Sequence, residues 1–220
     1  MRPVGYLVKH ETLCGERGSF FDYVIAGNGV FVEAEGPLLA ARAPVAEANI
    51  RGLMSTEAKV VLRHGLIPSH LFDLALSVML ADPEHERYLA IAWRDGRYRL
   101  LEPQQVPAGA GVSYQRVEDV VLDLHSHCGM EAYFSLTDNG DEQGLKLYGV
   151  VGKLNGRPQL RLRIGVYGYF HELPWDQVFL GALAGVDDLF DLTEAAELEI
   201  EERSHRLFGI RIPFWRRAYV

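Results

Sequence analysis

The chain has 220 residues, 48% of them hydrophobic and 24% charged, and a formal charge of −8 at pH 7. This length is ample for a sizeable core, and no apolar run approaches the roughly 18 residues of a membrane-spanning helix. An acidic balance without a basic stripe argues against direct nucleic-acid or anionic-membrane binding.

The first fifty-odd residues read as β-rich. Residues 20–25 and 30–35 are short β-prone runs separated by Ala-Gly-Asn-Gly, a hairpin signal. Gly36-Pro37 and Ala43-Pro44 punctuate the chain that follows. No chemistry is visible in this part, and a small β module or N-terminal extension is the plain expectation.

The texture changes near Thr56. Residues 59–63 read as a strand, and Pro68 stands where a first-turn helix proline belongs. Leu71, Leu74, Ala75, Val78 and Met79 recur at helical spacing up to Leu80, and Asp82-Pro83 stops the pattern. Residues 88–93 and 97–101 read as two strands around Asp95-Gly96, a type I′ turn signal. Pro103, Pro107, Gly109 and Gly111 mark a loop, and 117–124 is a further strand rich in aliphatic residues. Residues 145–151 and 160–167 read as another strand pair, joined across Asn155-Gly156. Beyond them, 175–184 reads as helical, 187–202 is acidic, and 207–220 mixes aromatics with Arg216-Arg217. The charge run 194–202 is expected to be a solvated helix face.

The informative segment is VLDLHSHCGMEAYFSLTD, residues 121–138. His125 and His127 are two apart at the end of a predicted strand, so their side chains leave the same face. Two converging imidazoles are a natural start for a zinc site, and a carboxylate suits the third position. Asp138 follows eleven residues later, behind Ser135, at what reads as a helix start. Ser-x-x-Asp is also close to a helix capping box; the two roles are compatible, since a capping Ser135 can still aim Asp138 at a metal. Three protein ligands and a water make an open, catalytic zinc site rather than a closed structural one. Cys128 is a conceivable extra ligand, but its neighbouring strand position points it away from the histidines. His171 is expected in a loop, His85 at the surface, and His10, His64, His70 and His205 have no arguable partner.

His-x-His, seven residues, then Ser-x-x-Asp resembles the JAMM motif of the MPN/JAB metallopeptidases, zinc enzymes that remove or trim ubiquitin-like proteins. The predicted element order between Thr56 and Tyr167 is similar to that family's core. The resemblance implies an α+β fold with an α/β three-layer, cytidine-deaminase-like core spanning 56–180. An N-terminal β-rich module (1–55) and a C-terminal extension (181–220) would flank it. It also implies an upstream glutamate as general base, at the start of the strand after the first helix. Glu84 and Glu86 compete for that place, and Glu86 fits better because it abuts the strand at Tyr88. In the implied mechanism His125, His127 and Asp138 hold Zn2+, whose bound water becomes acidic near neutral pH. Glu86 takes that water's proton and returns it to the departing amine, while Ser135 donates to the oxyanion.

Two departures from the family pattern stand out. Cys128 follows the second histidine where proline is usual, and Leu89 stands near the place of a usual glycine. Neither is a ligand, so they bear on substrate-loop geometry and catalytic vigour. Within the family, HSHCGMEAYFSLTDNGDEQG looks most like the prokaryotic JAB branch found in PRTRC plasmid cassettes. The implied partners are a ubiquitin-like protein with an extended C-terminal tail, as substrate, and a ThiF-like activating enzyme. A non-catalytic MPN-type scaffold and a zinc hydrolase of small amides are the competing functional readings. Cys14 and Cys128 are too few for a disulfide framework or a thiolate-rich zinc site. Together with the absence of an apolar export signal, they make a reducing cytoplasm the expected compartment.

Overall fold

The computed structural model describes residues 2–107, 112–114 and 117–190. Two sheets organise them. The N-terminal sheet uses β1 (Val4–Lys9), β2 (Leu13–Glu16), β3 (Phe21–Ala26), β4 (Gly29–Glu35), β5 (Leu39–Glu47) and β6 (Lys59–Leu62), in the order β2-β1-β3-β4-β5-β6. The predicted hairpin is its centre, with β3 and β4 paired antiparallel about Gly27-Asn28. β6 lies beyond residue 55, yet it completes this sheet by pairing with β5.

A two-residue strand, β7 (Ile67–Pro68), leads directly into α1 (Ser69–Ala81). The helix buries Leu71, Phe72, Ala75, Leu76 and Met79, and each of these but the small Ala75 is worth about 1.5–3 kcal/mol relative to exposure. Leu74, expected on that stripe, is instead exposed. The helix ends as predicted, with Asp82 as its C-cap.

The second sheet follows. β8 (Tyr88–Arg94) and β9 (Arg97–Leu101) form the predicted hairpin. Asp95 and Gly96 both adopt positive φ, 50° and 72°, as a type I′ turn requires. A short hairpin of β10 (Gln105–Pro107) and β11 (Val112–Tyr114) precedes β12 (Val120–Ser126). Then come α2 (Leu136–Asp141), β13 (Leu145–Gly152), β14 (Gln159–Val166) and β15 (Tyr169–Leu173). The sheet order is β15-β14-β13-β12-β8-β9. β12 and β13 run parallel, whereas β8 with β12 and β13 with β14 are antiparallel.

The two faces of this sheet differ because side chains alternate along each strand. One face presents Leu122, Leu124, Leu147, Val151, Leu160, Leu162 and Ile164. These form a single apolar core with α1 and with Val32, Leu39, Ala41 and Ala43 of the N-terminal sheet. The other face carries Asp123, His125, Lys146, Tyr148, Arg161 and Arg163, matched across the strands by the register.

The three-layer α/β core is corrected by this arrangement. The described residues are mostly strand, with only two α-helices among them, of 13 and six residues. A helix needs a sustained stripe of period 3.6, and among the described residues a long one occurs only at 69–81. The parallel crossover from β12 to β13 winds only the six-residue α2 where a longer helix is usual. The helix expected over 175–184 is also absent. Trp175–Gln177 form one 3₁₀ turn, and Phe179–Leu180 become β16, parallel to β7. β17 (Asp187–Asp188) lies beside β14. The charge run 194–202 and the segment 207–220 lie outside the described residues.

Candidate metal site

His125 is the last but one residue of β12, on its polar face, opposite Tyr88 of β8. Ser126, the last residue of β12, donates its backbone N–H to the Arg87 carbonyl at 3.0 Å. His127 is fixed by donating its own N–H to the Val151 carbonyl of β13 at 2.9 Å. The two rings therefore converge, and their Nε2 atoms lie 3.3 Å apart.

Asp138 reaches the same point from α2. Ser135 is the N-cap of that helix, and the capping box is complete. The Asp138 N–H donates to Ser135 Oγ at 3.2 Å, and the Ser135 N–H donates to Asp138 Oδ2 at 2.6 Å. The second carboxylate oxygen, Oδ1, is 3.4 Å from His125 Nε2. One donor atom from each of His125, His127 and Asp138 lies within 4.8 Å of the other two.

These distances can be tested against a metal. Tetrahedral zinc with bonds of about 2.0–2.1 Å separates neighbouring ligand atoms by about 3.3–3.4 Å, matching the Nε2–Nε2 and Nε2–Oδ1 distances here. The electronics agree. Burial pushes His125 down to about 4, against the pull of Asp138, with His127 and Arg163 adding to the lowering. Burial also lowers His127, against Asp138 and the Glu131 backbone. Both imidazoles are thus neutral at pH 7, the form in which histidine binds metal. At 3.3 Å one neutral ring can donate its Nε2–H to the other; with both Nε2 atoms unprotonated, their lone pairs and the Asp138 carboxylate would converge as metal ligands do. The Tyr133 ring meets the His127 ring edge-on, their centroids 4.6 Å apart.

Glu86 lies two residues before β8, next to Arg87, whose carbonyl accepts from the Ser126 N–H. It is half-buried; burial first and then Asp138 raise its carboxyl above the usual range. Glu84 lies exposed in the preceding turn, whereas Glu86 is partly buried and its carboxyl is influenced by Asp138. His85 is exposed and bonds Asp82 at 2.8 Å. Ser135 Oγ accepts from the Asp138 N–H at 3.2 Å, a bond that does not use the hydroxyl hydrogen. Cys128 is not part of the donor cluster. Its thiol is raised by burial, then by Glu86, Glu84 and Asp82, and its backbone adopts φ 50°. A proline ring excludes that φ, so this turn could not accommodate proline at position 128. His171 lies on β15 rather than in a loop.

Several contributors lack a local signature. Arg163 of β14 is buried between the Phe134 and Phe170 rings, each 3.8 Å from its guanidinium carbon, and pairs with Glu142. Tyr88 and Lys146 both donate to buried Asp123. Gly152 allows the loop after His127 to close on β13, since a Cβ there would meet the Ala132 nitrogen at 2.3 Å. Two open clefts on the N-terminal sheet, of about 470 and 330 Å³, include no residue of the histidine cluster. Arg42, which lines both, is already committed to Glu33 and Thr56, so the cluster is the chemically distinctive site.

No family model matches the chain, and no curated protein is a significant match. No helix among the described residues is long and apolar enough to cross a membrane.

Proposed function

We propose that the chain is a zinc-dependent metallopeptidase of JAMM type. Its reaction would be isopeptide cleavage or C-terminal processing of a bacterial ubiquitin-like protein, in the cytoplasm. The observation that carries this is the convergence of His125, His127 and Asp138, with His125 Nε2 at tetrahedral ligand spacing from a donor atom of each of the other two and all three within 4.8 Å. It rests on the site and not on the fold class. Zinc held there would supply Lewis acidity, lowering the pKa of a bound water and polarising a scissile carbonyl.

The chain's own residues supply the rest. Glu86, with its proton affinity raised, is suited to accept a proton near neutral pH and pass it to a leaving amine. The Ser135 hydroxyl hydrogen, which the cap does not use, would bond a developing oxyanion. The polypeptide substrate comes from the motif's resemblance, as does a ThiF-like activating enzyme as a neighbour in the pathway. A second reading, a metal-bearing scaffold that cleaves nothing, is favoured by the φ of Cys128, which proline could not adopt, in the turn beside the histidines.

The deciding experiment incubates the zinc-loaded protein with a tagged ubiquitin-like partner, alongside Glu86→Gln and His127→Ala. The peptidase reading expects cleavage by the wild type alone. A wild type that binds zinc but leaves the tail intact supports the scaffold instead.

A further inference from the structure

We infer that Arg163 is a positioning residue that holds the Asp138 ligand in place by clamping α2 against the sheet. The inference rests on the metal reading above and extends it to a residue outside the ligand set.

α2 is six residues long and buries none of its own residues. A helix this short does not persist through its own hydrogen bonds, so something outside it must fix Asp138. Arg163 touches the segment before, within and after the ligand. Its guanidinium stacks on Phe134, which precedes the N-cap Ser135. Its Nη1 donates to Asn139 Oδ1 at 2.7 Å, one residue beyond Asp138. Its Nε donates to Oε2 of the C-cap Glu142 at 2.8 Å, with Nη2 donating to the same oxygen. Phe170 of β15 closes the opposite ring face. The register sets Tyr148 beside Arg163 and Gly165 beside Phe170. A Cβ on Gly165 would meet the Tyr148 ring at 2.6 Å, so the rings need that glycine.

The choice of residue fits positioning better than bulk stability. A buried ion pair seldom outperforms well-packed apolar side chains of the same volume, whereas it does fix geometry. A planar fork that stacks on two rings while donating three hydrogen bonds to two acceptors is also a task lysine cannot perform.

Zinc affinity, measured by chelator competition, tests this with Arg163→Met and Arg163→Lys in two backgrounds. In the otherwise wild-type chain each substitution should weaken zinc binding by about 10–100-fold, the usual cost of losing a group that orients a ligand. In the Asp138→Ala background the same substitutions should change affinity less than about twofold, because the ligand they position is already gone. Glu142→Gln, which leaves Arg163 in place, should weaken binding in the same direction by less. Equal losses in both backgrounds, or no loss in either, would overturn the inference.

A second arm uses metal-free protein. The Asn139 and Glu142 amides, bonded to Ser135 and Asp138, should resist hydrogen exchange in the wild type. In Arg163→Met they should lose that protection while β13 and β14 keep theirs. Unchanged protection of α2 in the variant, or none in the wild type, contradicts the clamp. If the wild type takes up no zinc, the metal reading fails, and the exchange arm still decides the role of Arg163.

Discussion

Ser135 holds the Asp138 carboxylate by one oxygen and leaves the other for the histidines. The Ser135 N–H occupies Oδ2 at 2.6 Å, and Oδ1 turns to within 3.4 Å of His125 Nε2. A capping box, an ordinary device for starting a helix, here also orients a candidate ligand.

Ser135→Ala therefore has two separable effects. Loss of the cap should cost about 1 kcal/mol of stability, read as a modest fall in Tm. If the hydroxyl also serves the oxyanion, kcat should fall by about 10²–10³-fold at saturating zinc. A rate loss no larger than the zinc loss would assign Ser135 to capping alone.

The base assignment predicts an asymmetry between neighbours. Glu86→Gln should abolish hydrolysis while zinc stays bound, and Glu84→Gln should leave both intact. In the metal-free protein burial and then Asp138 raise the Glu86 carboxyl, so its titration there, followed by NMR, should lie above 4.5, its ordinary value. Activity retained in Glu86→Gln would remove it from the mechanism.

The metal-free protein should lose stability as pH falls from about 6.5 to about 4. In that window the unfolded chain binds a proton at His125 that the folded chain refuses, since burial holds the folded value near 4. Stability thus rises with pH there. Urea midpoints in the presence of chelator should show this slope in the wild type and a shallower one in His125→Asn. Identical slopes would show that His125 is not buried as described.

Gly152→Ala should displace the loop at 130–132, because the new Cβ would fall 2.3 Å from the Ala132 nitrogen. Overpacking of this kind costs about 1–3 kcal/mol. Zinc affinity should fall as well, since that loop carries Tyr133 against His127. Thermal unfolding and chelator competition on one preparation check both effects.

What was legible in the sequence was local. Strand parity put His125 and His127 on one face, Ser-x-x-Asp marked the start of α2, and Asp82-Pro83 marked the end of α1. Arg163 was not legible, since its meaning depends on Phe134, Glu142 and Phe170, brought together only by the sheet. β5 was hidden by Ala43-Pro44, which reads as a break. Pro44 is tolerated because pairing with β6 ends at Arg42, and the ladder to β4 is irregular near it. The three-layer expectation failed for a related reason. Element order between Thr56 and Tyr167 says little about what covers a sheet, and the N-terminal strands share the core beside α1.

The most direct measurement is the zinc content of the purified chain, by elemental analysis after removal of loosely bound metal. The site predicts about one zinc per chain in the wild type and loss of that zinc in His125→Ala/His127→Ala. A wild type without zinc, or a double variant that keeps it at full occupancy, would contradict the metal site.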